Sequence, residues 1–176
     1  TPLYSSAASD VYKRQNADRI ERLIETADLS LYDFDSVRQE INLALDAEDP
    51  WQRYWALIVL SAFGEQAISF VQRAYYMAQN DEENLVRLRA IEFLALIGQE
   101  NPSQLLPALL ANAVNEVEAT IILNTAVLLK DFAGYDILID DEMIPNNVIP
   151  GNAKESIWDI MLRCSLNKDE EYALME

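Results

Sequence analysis

Two stretches, Arg53–Gly64 (RYWALIVLSAFG) and Arg87–Gly98 (RLRAIEFLALIG), align without a gap, and the interval is 34 residues at both ends (87 − 53 and 98 − 64). Arg, Ala, Leu and Gly recur in step as Arg53/Arg87, Ala56/Ala90, Leu60/Leu94 and Gly64/Gly98. The spacing of apolar residues within each is that of an amphipathic helix, and the closing glycine is a helix stop. A second apolar segment follows each copy, AISFVQRAYYMAQ after the first and PSQLLPALLANAV after the other. EVEATIILNTAVLLKDF then supplies a third, looser copy of the first type. A two-helix unit repeated at such an interval predicts an α-solenoid, in which each unit buries its apolar face by stacking on its neighbours.

The rest of the chain agrees with an all-α class. With 4 glycines and 6 prolines in 176 residues, the chain lacks the turn chemistry of an all-β protein. RIERLIETAD places Ile20, Leu23, Ile24 and Ala27 on one stripe. From Ser36 the next helix repeats the pattern with Val37, Ile41, Ala44 and Leu45. Asp49 is placed to cap the following helix, with Pro50 at its first position. A further helix is expected over residues 66–79 with Ile68, Val71, Tyr75 and Ala78 inward, and another from Glu82 to Gly98. After Phe132 the pattern decays. Gly134, Pro145, Pro150 and Gly151 suit an extended segment lying over the last helix. A short terminal helix, SIWDIMLRCSL, turns Ile157, Ile160 and Met161 inward, and a charged tail follows.

Composition narrows function. The chain has 13 basic and 30 acidic residues, a net charge of −17. Broad contact with nucleic acid or an anionic membrane needs clustered Lys and Arg, so neither partner is expected. The chain contains no histidine, which removes histidine bases, His-containing triads and nearly all transition-metal sites. One cysteine, Cys164, excludes an internal disulfide and is read as a small buried hydrophobe. The apolar runs are read as too short and too interrupted, by Asn124 and Lys130 among others, for membrane insertion.

Residues 1–15 stand apart. SSAASDVYKRQ, Ser5–Gln15, back-translates with permitted codons to a string that resembles a transposase adapter of short-read sequencing libraries. The reading makes residues 1–15 a non-native segment and places the first natural residue at Asn16, inside a longer gene. Without that segment the chain has 11 basic and 29 acidic residues, a charge of −18. The expected organisation is the adapter segment 1–15, a helical repeat domain 16–140, and a segment 141–176 comprising the extended stretch, terminal helix and tail.

The pattern Arg-x-x-Ala-x-x-x-Leu-x-x-x-Gly resembles HEAT repeats, whose usual period of about 40–47 residues is longer than the one here. Taken together, AEDPWQRYWALIVLSAFGEQA, ENLVRLRAIEFLALIG and IILNTAVLLKDFAGYDILID resemble the C-terminal helical extension of certain bacterial sulfatases of the arylsulfatase and heparan-type family. The likeness covers most of residues 20–140. Its most specific parts are RYWA at Arg53–Ala56, LNT at Leu123–Thr125 and YD at Tyr135–Asp136. The resemblance implies a parent enzyme that hydrolyses sulfate esters with a formylglycine from a Cys/Ser-x-Pro-x-Arg motif and a calcium ion, exported to the periplasm or secreted. The motif is absent here. The nearest stretch, CSLNK at Cys164–Lys168, has Leu166 for the proline and Lys168 for the arginine. No catalytic, cofactor-binding or metal residue is therefore carried over. The expected partner is an upstream catalytic domain or another protein; the alternative is a free-standing HEAT-type interaction scaffold.

Single features read the same way. Trp51, Tyr54 and Trp55 offer an aromatic platform for a sugar, with packing in the core or against an adjoining domain the favoured reading. Arg53 and Arg87 are expected to pair with acidic residues such as Asp49 and Asp81 rather than with a sulfated glycan. The clusters Asp81–Asn84 and Asp140–Glu142 contain calcium-type oxygen ligands but match no calcium loop. Asn124, in an otherwise apolar helix, is expected to bond a neighbouring loop if buried.

Overall fold

The computed structural model describes residues 3–139, 143–146 and 148, with side chains from Asn16 onward. These residues form helices and turns, with no strand among them. The expected terminal helix with Ile157, Ile160 and Met161, Cys164, and the Asp140–Glu142 cluster lie outside the described residues. The chain divides into two compact units, residues 1–68 and 69–176.

The first unit contains α1 (Leu3–Asp28), α2 (Phe34–Leu45) and α3 (Pro50–Phe63). Helix α3 packs on both α1 and α2. Its start is built as the sequence signals: the Asp49 carboxylate accepts from the Trp51 amide at 3.0 Å, and Pro50 occupies the first turn, where it forfeits no hydrogen bond. Phe34, Val37, Ile41, Ala44 and Leu45 of α2 are buried, as are Ala56, Leu57, Val59 and Leu60 of α3. Phe34 and Phe63 meet edge to face at 5.1 Å, joining the start of α2 to the end of α3.

Helix α1 departs from expectation. Ile20 and Ile24 are each 56% exposed, whereas Thr26 is buried and Arg19, Leu23 and Ala27 are half-buried. The contact face is turned by about one residue. Two polar anchors accompany that rotation: Arg19 grips Asp49 at the start of α3, and the Thr26 hydroxyl donates to the Arg22 carbonyl at 2.8 Å, which satisfies it inside the core.

Residues Gly64–Phe70 wind as a 3-10 turn, followed in the second unit by α4 (Val71–Asn80), α5 (Asn84–Leu96), α6 (Leu105–Leu110) and α7 (Glu116–Ala133). The expected inward set of α4 is displaced. Ile68 is 57% exposed, Tyr75 and Ala78 are half-buried, and Phe70, Val71, Ala74 and Met77 are buried. A 3-10 turn holds three residues per revolution rather than 3.6, so the stripe that emerges from it is out of phase with one extrapolated at helical spacing.

Helix α5 packs on α4 and on α7, and the short α6 packs on α5 and α7. Leu88, Ile91 and Ala95 of α5, Leu106 and Leu110 of α6, and Ile122, Leu123, Ala126 and Leu129 of α7 share one core. Past α7, Ile137, Ile139, Ile144 and Val148 join the same core. The Tyr135 hydroxyl fastens that stretch by donating to the Ala95 carbonyl at 2.7 Å.

Glycines end the three long repeat helices. Gly64, Gly98 and Gly134 all have positive φ, at +56°, +66° and +72°, and follow α3, α5 and α7 at intervals of 34 and 36 residues (98 − 64 and 134 − 98). At Gly98 the Gln99 amide donates to the Leu94 carbonyl at 2.8 Å and the Gly98 amide to Ala95 at 2.9 Å, closing the last turn with a left-handed residue.

Candidate functional site

The aromatic trio lies on the outside of the first unit. Trp51 and Trp55, four apart on α3, are 41% and 36% exposed, with half-buried Tyr54 beside both. Tyr54 meets Trp51 at 5.4 Å and Trp55 at 6.1 Å, each edge to face. Of the two packing readings, the unit's own core and an adjoining domain, the first does not hold for Trp51 and Trp55. The buried side of α3 is taken by Ala56, Leu57, Val59 and Leu60, which leaves the aromatic edge turned outward.

The charged residues beside the trio secure the backbone. The Arg19 guanidinium binds Asp49 with two contacts, at 2.5 and 3.0 Å, while the same carboxylate caps α3. Asp49 is held below the usual aspartate range chiefly by the bond from Arg19, which outweighs the opposing effect of burial, with lesser help from the Trp51 amide and the charges of Arg19 and Arg22. Arg53, expected to face Asp49, donates to the Ala47 and Glu48 carbonyls at 2.9 and 3.0 Å. Arg87, its counterpart 34 residues on, bonds the Asn84 side chain, and Asn84 in turn donates to the Asn112 carbonyl at 3.1 Å. Arg53 thus ties down the turn ahead of α3, whereas Arg87 bonds within the first turn of α5. Asp81 acts as a turn acceptor for the Glu83 amide at 3.0 Å, just ahead of α5.

Helix α7 opens on a cap that the sequence reading did not single out. The Asn115 side chain accepts from the Glu118 amide at 2.9 Å, and the buried Glu118 carboxylate accepts from the Val114 amide at 2.8 Å. The Asn-x-x-Glu spacing before an apolar run was the available signal. Asn124 is exposed, so its amide needs no protein partner; the buried polar residue is Thr125, whose hydroxyl donates to Ile121 at 3.0 Å.

The residues that carry the sulfatase resemblance thus do structural work: Arg53 in RYWA closes a loop, Thr125 in LNT bonds its own helix, and the tyrosine of YD pins the extended segment. Hydroxyls of Thr26, Ser30, Ser36, Ser61 and Thr125 donate to carbonyls three or four residues back, a geometry that satisfies a hydroxyl without activating it. Within α5, Arg89 and Glu92 form a largely buried ion pair. Burial and the carboxylate of Glu100 push up the Tyr75 phenol, which donates to the Gln99 carbonyl. Among the described residues no three His, Cys, Asp or Glu side chains are grouped to hold a metal ion.

One stretch is more apolar than the sequence reading allowed. Residues Pro50–Asn80 form a helical run of 31 residues whose most apolar window has a mean hydropathy of 1.4, long and apolar enough by those measures to cross a membrane. Ala56, Leu57, Val59 and Leu60 in that run are packed inside the first unit, the same composition that a core helix requires. No protein-family model matches the chain, and neither curated proteins nor solved structures provide a significant match.

Proposed function

We propose that the chain is a non-catalytic, HEAT-like helical accessory domain from the C-terminal part of a sulfatase, supporting the catalytic domain or mediating protein contacts. The observation that carries the scaffold reading is the recurrence of long helices ended by positive-φ glycines at intervals of 34 and 36 residues. Packing of α5 against α7, with α6 lying on both, supports stacking of repeated helix pairs in the second unit. The sulfatase parent rests on the resemblance of RYWA, LNT and YD, as does a periplasmic or secreted location. The adapter-like residues 1–15 belong to the same proposal: the chemistry of the parent is encoded before Asn16.

Assay of recombinant residues 16–176 on an aryl sulfate tests the non-catalytic role. The expected result is strong helical circular dichroism with no turnover; turnover by this fragment overturns the proposal. A free-standing HEAT-type scaffold is the second reading, favoured by the exposed Trp51–Tyr54–Trp55 edge, which suits a protein contact with or without an attached enzyme.

A further inference from the structure

Helix α3 carries apolar residues on two sides. Ala56, Leu57, Val59 and Leu60 are buried within the first unit, while Trp51, Trp55, Ile58 and Ala62 follow one another at spacings of four, three and four along the other side. Trp51, Trp55 and Ala62 are exposed and Ile58 is half-buried. From Tyr54 to Gly64 the chain has no charged residue. A helix at the surface of a folded unit ordinarily turns a charged or polar face outward, and one without such a face is suited to being covered.

Helix α1 widens the face. It runs beside α3 in the same direction: Arg19 binds Asp49 at the start of α3, and Leu29–Leu31, just past α1, packs on α3 and leads into α2, whose Phe34 meets Phe63 at the end of α3. At about 100° per residue, the order around α1 is Thr26, Arg19, Leu23, Ala27, Ile20, Ile24. The exposed Ile20 and Ile24 therefore border α3 on the side away from the Arg19–Asp49 clasp. The line from Trp51 to Ala62 also points away from that clasp, because Asp49 stands two residues ahead of Trp51, about 160° around the helix. The two lines thus share one side of the α1–α3 pair. The α3 line covers 11 residues (62 − 51), about 16 Å, room for about three turns of a partner helix.

The rim of this face is acidic. Asp18, Glu21, Glu25 and Asp28 are exposed on α1 against Arg22 alone, and the exposed Glu48 and Glu65 flank the two ends of α3. Arg19 and Arg53 are engaged, with Asp49 and with the Ala47 and Glu48 carbonyls. A second copy of the chain would set this rim against its own like charges, whereas a cationic partner meets it with opposite ones.

We propose that the Ile20–Ile24 and Trp51–Trp55–Ala62 lines dock an amphipathic helix of a partner protein that carries Lys or Arg beside its apolar stripe. This rests on the Trp51–Tyr54–Trp55 edge being a protein contact and needs no sulfatase parent. Three helical peptides of about 18 residues test it on the full chain by fluorescence anisotropy, each with leucines at i, i+3, i+4 and i+7 and with lysine, glutamine or glutamate at the flanking positions. The lysine peptide is expected to bind, the glutamine peptide about tenfold more weakly or worse, and the glutamate peptide not at all. Trp55→Gln and Ile24→Gln alter exposed positions, so circular dichroism should be unchanged while each weakens the lysine peptide about tenfold. Leu43→Gln, at an exposed position on α2, should leave it unaffected.

No loss at Trp55→Gln, or an equal loss at Leu43→Gln, reduces the attraction to net charge and overturns the proposal. Tighter binding of the glutamine peptide overturns the cationic partner but keeps the aromatic edge as a protein contact; binding of none of the three removes both. Self-association abolished by Trp55→Gln assigns the face to a second copy, and cosedimentation with phosphatidylcholine vesicles assigns it to a lipid surface; either result overturns the proposal.

Discussion

Replacing Gly98 with alanine isolates the conformational requirement that ends a repeat helix. A Cβ built at Gly98 meets nothing within 4 Å, so no neighbour is crowded. The cost is then confined to the backbone, where φ is +66°. A left-handed alanine costs about 1–2 kcal/mol, and the stiffer unfolded chain returns about 0.4–1, leaving a net loss near 1 kcal/mol. Gly64 is a more demanding site. Its φ of +56° and ψ of −128° lie in a region that glycine alone occupies readily, and space around it is equally open. Gly64→Ala is therefore expected to cost about 2 kcal/mol. Asparagine tolerates the left-handed region, so Gly98→Asn should recover part of the loss while Gly64→Asn should not. Urea denaturation followed by circular dichroism at 222 nm reads all four variants against the parent, with unchanged slopes as the control for a common unfolded state. Equal stability of Gly98→Ala and the parent, or a Gly64 variant less affected than Gly98→Ala, refutes the reasoning.

Other substitutions test the remaining fasteners. Asp49→Ala should lose about 1 kcal/mol through the α3 cap, while Asp49→Asn, which keeps an acceptor, should lose less. Because Asp49 is held below its ordinary range, the stabilisation from Arg19 is fully present above the ordinary aspartate range and is lost as pH falls through the lowered value; the stability gap between parent and Arg19→Ala should narrow on acidification. Tyr135→Phe removes the bond to Ala95 and should cost about 0.5–1.5 kcal/mol, with faster hydrogen exchange at the Ile137 amide. Leu106→Ala, at a fully buried position, should cost about 2–5 kcal/mol in the same urea assay.

The helical class, the α3 cap at Asp49 and the stops at Gly64 and Gly98 were legible because each depends on a few neighbouring residues. Apolar spacing, a capping carboxylate before proline and a glycine after the last turn act locally. The buried face of α2 was legible for the same reason. The faces of α1 and α4 were not, since tertiary partners and winding decide them: Arg19 reaches 30 residues to Asp49, and a 3-10 turn rephases α4. The outward position of Trp51 and Trp55 was equally hidden. Aromatic residues at helical spacing specify a common face, and only packing decides whether that face is covered. Gly134 was read as the place where the pattern decays, yet it ends α7 as Gly98 ends α5.

The claim that this scaffold accompanied an enzyme is tested most directly by sequencing the source locus upstream of the codon for Asn16. The adapter-derived codons are expected to vanish and the open frame to continue upstream into a Cys/Ser-x-Pro-x-Arg motif. A frame that opens at Asn16, or that holds only further helix pairs, would contradict it.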